Sequence, residues 1–144
     1  MSASSCIFCQ IISEKVPAHP VYRDERCSAF MEFHPVNPGH VLIVPNRHIE
    51  RFYESEKSVA GHLMGVARDI YQTIRETSVR CDGANIFLSD GAEAGQDVEH
   101  TRLHIAPRFA GDNHKPGFLH SDPASAVPAK LERIAETIRS KISN

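Results

Sequence analysis

The stretch that decides the reading runs Gly95-Gln96-Asp97-Val98-Glu99-His100-Thr101-Arg102-Leu103-His104-Ile105-Ala106-Pro107-Arg108. Its β-branched and alternating residues predict an extended strand over Val98–Pro107. Successive side chains on a strand point to opposite faces. Val98, His100, Arg102, His104 and Ala106 are therefore expected on one face, with Glu99, Thr101, Leu103 and Ile105 on the other. A row of two imidazoles and a guanidinium costs desolvation on a half-buried face unless a ligand or metal compensates it. One account is an anion site, with Arg102 forking two donors onto phosphate oxygens, His104 adding a third, and the Gly91 and Gly95 loop bringing backbone amides close. The plainer account is a solvated face, common in antiparallel sheets. Residue types alone leave both open.

Working outward, Cys6–Val16 has the apolar spacing of a short helix that stops before Pro17 and Pro20. Tyr22–Arg26, Cys27–Phe33 and His40–Val44 read as a meander of strands, the first two joined by Asp24-Glu25-Arg26, the third entered through Asn37-Pro38-Gly39. Over Lys57–Thr77, Val59, Leu63, Val66, Ala67, Ile70 and Ile74 recur at three- and four-residue steps and predict the main helix. Ala84–Leu88 reads as a strand, and the loop Ser89–Gly95 leads back to the opening stretch. Gly111, Pro116 and Gly117 mark a polar loop, and Leu131, Ile134, Ala135, Ile138 and Ile142 a C-terminal amphipathic helix after Pro128. This order predicts an α+β domain with a mainly antiparallel sheet.

The 144 residues, 41% hydrophobic and 24% charged, suit one core and not two. A net charge of -2 provides no field that would gather nucleic acid or anionic lipid, so an anionic ligand must be held locally. The N-terminus lacks a basic segment, and the apolar run after it breaks at Gln10, so neither signal peptide nor membrane span is expected and the cytoplasm is the expected compartment. There, Cys6, Cys9, Cys27 and Cys81 are better read as metal ligands or buried thiols than as disulfides. Cys6-x-x-Cys9 alone fits zinc, a redox pair or coincidence; a redox pair would head a helix that follows a strand within a βαβ pattern, which is not expected here.

The opening stretch resembles the signature of the histidine triad family of nucleotide hydrolases and transferases. Cys6-Ile7-Phe8-Cys9, Ile11-Ile12, Val16-Pro17-Ala18, Ala29-Phe30, Asn37-Pro38-Gly39-His40-Val41-Leu42-Ile43-Val44-Pro45 and Arg47-His48 resemble its N-terminal half in order and spacing. The resemblance implies the histidine-triad fold: a five-stranded, mainly antiparallel sheet, one long helix, a short N-terminal helix and a C-terminal helix. It implies a single domain over 1–144 with its core in 6–110 and a tail and helix in 111–144. It implies a purine nucleotide of AMP or GMP type as ligand, action on the α-phosphate of phosphoramidates or dinucleotides, and a homodimer.

In that family the middle histidine attacks phosphorus to form a nucleotidyl-histidine. Arg102 stands at that position, and a guanidinium, protonated at physiological pH, has no lone pair to offer. His104 would contact or polarise the phosphoryl group, with His40 supporting it by hydrogen bonding. Gly95, Gln96 and Asp97 would lie along the phosphate; Ser89 stands where many members have asparagine, and Glu32 where many have the aspartate that binds ribose. Phe8, Ile11 and Phe33 would line the base pocket, or simply fill core. The resemblance also implies a structural zinc held by Cys6, Cys9, His48 and His100. A non-catalytic nucleotide-binding or sensor module is the alternative function, and a zinc-stapled scaffold a third.

Overall fold

The computed structural model describes residues 2–115, 117–118 and 120–142, and divides into two compact units, Met1–Asn113 and His114–Asn144. The first unit contains helix α1 (Ile7–Ile12), strands β1 (Pro20–Arg23), β2 (Cys27–Met31) and β3 (Val41–Pro45), the long helix α2 (Lys57–Arg75), and strands β4 (Gly83–Phe87) and β5 (Leu103–Arg108). The strands form one antiparallel sheet in the order β1-β2-β3-β5-β4. With α3 (Pro128–Arg139) in the second unit, this is the expected α+β architecture of five strands and three helices.

Apolar residues on both faces explain why β2 and β3 lie at the centre. Cys27, Ala29, Val41, Ile43, Leu103 and Ile105 meet Leu63, Val66, Ala67, Ile70 and Ile74 of α2. Phe30, Leu42 and Val44 on the opposite face meet Cys6, Phe8 and Ile11. Register assigns the chemistry to the second face: Leu42 pairs with His104, which pairs in turn with Phe87. The chain enters β3 through Gly39 at φ +92°, where an added Cβ would lie 2.8 Å from Val79 Cγ1. Cys27 is wholly buried, and desolvation, reinforced by the Asp24 carboxylate, pushes its thiol up to about 12.

The main correction concerns the opening stretch. The strand starts at Leu103, not Val98. The His100 amide donates to Val98 O at 2.8 Å, and the Thr101 amide to Ile49 O at 2.7 Å, so residues 98–102 are tied to loops instead of a ladder. Adjacent His100 and Thr101 are both buried. Smaller differences have local causes. β1 stops at Arg23 because Asp24 Oδ1 accepts from the amides of Arg26 (2.8 Å) and Cys27 (2.9 Å), closing a turn. α1 ends at Ile12, before Glu14 turns to φ 62°.

In the second unit a 3-10 turn (Pro123–Ala126) leads into α3, with proline in its first turn. Leu131, Ile134 and Ile138 are exposed, and Ile142 lies beyond the helix end. Pro116, expected in the polar loop before it, lies outside the described residues, as do Met1, Leu119, Ser143 and Asn144.

Candidate functional site: a thiol-imidazole cluster beside an arginine-imidazole chain

Cys6 precedes α1, Cys9 lies within it, His48 follows β3, and His100 lies in the bent segment before β5. Their ligand atoms all fall within 4.8 Å of one another. Cys6 Sγ is 3.3 Å and Cys9 Sγ 3.6 Å from His100 Nδ1, and Cys9 Sγ is 3.3 Å from His48 Nδ1. The tautomer of His100 follows from its other nitrogen, which faces Pro45 O at 2.9 Å. A carbonyl only accepts, so Nε2 carries the proton and Nδ1 turns its lone pair toward the thiols. Two sulfurs and two imidazole nitrogens form a donor set that fits tetrahedral zinc. Outer hydrogen bonds of the kind His100 makes orient metal ligands; the buried His48 Nε2 lies 3.6 Å from Glu50 Oε1. Burial, then the bond to Cys6 and its charge, pushes the Cys9 thiol up to about 11, and burial pushes His100 down to about 4.

The second constellation starts at the amide of Val36, which donates to His40 Nδ1 at 3.0 Å. His40 Nε2 is 3.0 Å from His104 Nδ1, and Arg102 Nε is 3.2 Å from His104 Nε2. The proton count along this chain is informative. An accepting Nδ1 puts the proton of neutral His40 on Nε2, which donates to His104 Nδ1. Neutral His104 carries a proton of its own, for which neither nitrogen has a free contact: Nδ1 faces the His40 N–H and Nε2 accepts from Arg102 Nε. The three contacts therefore hold one N–H more than they can use. Burial, then the Arg102 and His40 charges, pushes His104 down to about 3, and burial lowers His40 in the same direction, so neither imidazole is protonated twice near neutral pH. An oxygen carrying negative charge between Arg102 and His104 is the group that would take up the surplus N–H.

The surroundings fix this pair. Phe87 stacks on His104 at a centroid distance of 4.3 Å and an interplanar angle of 5°. The Arg102 guanidinium lies over Phe8, 5.6 Å from its centroid, and Phe8 meets His100 edge-on at 5.8 Å. Arg102 Nη2 donates to Asp97 Oδ1, and that bond holds the Asp97 carboxyl below its ordinary range. Glu32 also belongs here, with a carboxylate oxygen within 4.8 Å of nitrogens of His40 and His104.

The other expected residues divide by position. Gln96 is engaged at both ends of its amide, accepting from Gly91 N (2.7 Å) and donating to Glu50 O (2.8 Å), so it braces the loop. Gly95 supplies the left-handed turn at φ +96°, and Ser89 is half-buried after β4. Phe8 and Ile11 are core, whereas Phe33 is half exposed, beside His19 at 6.4 Å. His100 and His104, expected on one face, belong to different constellations. Phe87 and Pro45 O were not legible as site groups, because cross-strand register and a backbone carbonyl leave no spacing signal in the sequence.

Comparison with known proteins gives these groups a family context. The HIT domain matches residues 13–111. A HIT-like protein of Methanocaldococcus jannaschii is 41% identical over 108 residues, covering 74% of this chain and 81% of the relative. Adenylylsulfatase HINT3 of Arabidopsis thaliana is 32% identical over 109 residues, covering 76% of this chain and 55% of that protein. Among solved structures, a HIT family protein from Bacillus subtilis superimposes with a TM-score of 0.88 at 31% identity, over 97% of this chain and 99% of the other. A Zn-bound histidine triad family protein from Mycobacterium smegmatis gives 0.75 at 28% identity, over 94% and 99%. With sequence and fold in agreement over most of its length, the chain belongs to the HIT domain family.

Proposed function

We propose that the chain is a purine nucleotide-binding protein whose phosphate site is Arg102 and His104, an entering oxygen replacing the bond between them and accepting from Arg102 Nε–H and His104 Nε2–H. The observation that carries this is the proton count from Val36 to Arg102, which leaves one N–H more than the three contacts can use. Glu32 would face the ribose and exposed Phe33 the base, while Gly95 and the amide-braced Gln96 hold the loop along the phosphate. Hydrolysis or transfer through a nucleotidyl intermediate on residue 102 is closed to Arg102. His104 cannot take over in this tautomer, because its site-facing nitrogen is protonated; it can polarise a phosphoryl oxygen. The reading favoured for the chain as written is therefore binding without covalent turnover. Calorimetry with AMP and GMP tests it: micromolar affinity lost in Arg102→Ala supports it, and no heat with either nucleotide would overturn it. Arg102→His tests the catalytic lineage by release of AMP from an adenosine phosphoramidate.

Zinc is the proposed metal, held by Cys6, Cys9, His48 and His100; the Zn-bound relative from Mycobacterium smegmatis supports this choice. Bound there it would tie α1 to the end of β3, a structural role in which all four positions are filled by protein. A homodimer is part of the reading, tested by light scattering on the eluted protein. Among the described residues no helix is long and apolar enough to cross a membrane; the cytoplasm is the proposed compartment.

A further inference from the structure

We propose that Asp97 makes the anion site selective by charge, favouring a singly charged phosphoryl group, as in a phosphodiester or phosphoramidate, over the doubly charged phosphate of a nucleoside monophosphate. The proposal rests on the reading of Arg102 and His104 as the anion site.

The charges around the two donors carry the argument. Arg102 provides the guanidinium, and its Nη2 is already committed to Asp97 Oδ1. The Asp97 side chain is 75% exposed and that of Arg102 only 14%, so Asp97 is the solvent-facing member of the pair. Glu32 adds a second carboxylate beside the two histidines. Both imidazoles are neutral near pH 7, as burial requires. One cation thus faces two carboxylates, and the only other positive feature among the groups named is the N–H dipole of a neutral His104. A phosphodiester brings one negative charge and oxygens enough to accept from both donors. A monophosphate dianion brings a second charge that finds no free cation and lies against Asp97.

The loop that carries Asp97 is not free to retreat. Gln96 is tied at both ends, to Gly91 N and Glu50 O, and Gly95 holds the left-handed turn just before it. The Asp97 carboxylate can leave Arg102 by a side-chain rotation, but its backbone stays beside the site. A ligand must therefore compete with a tethered carboxylate for Nη2, or accept only from Nε and His104.

The test uses the full zinc-loaded chain at pH 8, where AMP is a dianion, and measures Kd for AMP and for its 5′-methyl phosphodiester. Wild-type protein is expected to bind the diester about tenfold more tightly, the size of one uncompensated charge contact in a partly solvated site. Asp97→Asn is expected to bring the two within about twofold, chiefly by tightening AMP, and Asp97→Glu to restore the preference. An unchanged ratio in Asp97→Asn, with both ligands still bound, would overturn the charge selection while leaving the anion site standing. Failure of both ligands to bind either protein would remove the anion site itself, and the proposal with it.

Discussion

Arg102 sets what His104 can do, and His40 sets it from the other side. With the Val36 amide at one end and a guanidinium at the other, His104 receives its tautomer from its neighbours. With phosphate bound, ring-nitrogen NMR is expected to find wild-type His104 protonated at Nε2 and unprotonated at Nδ1. In His40→Ala the proton is expected to shift to Nδ1, so that Nε2 can accept from Arg102, and phosphate affinity should fall about tenfold or more. An unshifted tautomer in that variant would remove the proton count as the basis of the site. The same burial predicts a pH dependence. His104 is held down to about 3 in the folded chain, against an ordinary value of 6.5. Between these values the unfolded chain binds a proton that the folded chain refuses, so the stabilisation is complete above about pH 6.5 and is lost progressively toward pH 3. His40 adds in the same direction. The slope from one group is at most about 1.4 kcal/mol per pH unit. Urea melts at pH 7.5 and 5 should show the decline, and His104→Gln should flatten it.

At the scale of elements, the sequence was informative wherever one periodicity governed a whole segment. The three- and four-residue steps of α2 and the apolar β3 are where spacing placed them, within a residue or two. The residues ahead of β5 show the limit. Val98 to Arg102 alternate like a strand, yet backbone bonds to Val98 O and Ile49 O bend them, and His100 leaves the face of His104 to join the cysteines. Period-two patterning cannot distinguish a strand from a polar segment held by partners far along the chain. The cluster of Cys6, Cys9, His48 and His100 was legible only through family resemblance, because four side chains from three separate segments have no local spacing rule. Asn37-Pro38-Gly39, by contrast, signalled its turn correctly, and Gly39 is required by both its φ of +92° and the approach of Val79. Gly39→Ala is expected to cost about 2–4 kcal/mol from left-handed strain together with overpacking. A thermal melt unchanged from wild type would show that the entry to β3 can relax.

On the scale of the whole molecule, Phe8 connects the two constellations, edge-on to His100 and beneath the Arg102 guanidinium. Zinc removal is therefore expected to lower the melting temperature and also weaken nucleotide binding, because α1 carries both the thiols and the ring under Arg102. Chelation followed by melting and by AMP titration checks this; a lowered melting temperature with unchanged affinity would show the two sites to be independent. The four cysteines provide a direct gauge of loading. Cys27 is sealed in the core with its thiol at about 12, so it stays silent to alkylating reagents while the fold persists. The half-buried Cys81 is the steady background. Cys6 is as buried as Cys27 and the Cys9 thiol is raised to about 11, so these two react only when the segment that carries them lifts from the sheet, and mass spectrometry of the alkylated protein becomes a tally of opened metal sites: one adduct for a closed chain, three for an opened one.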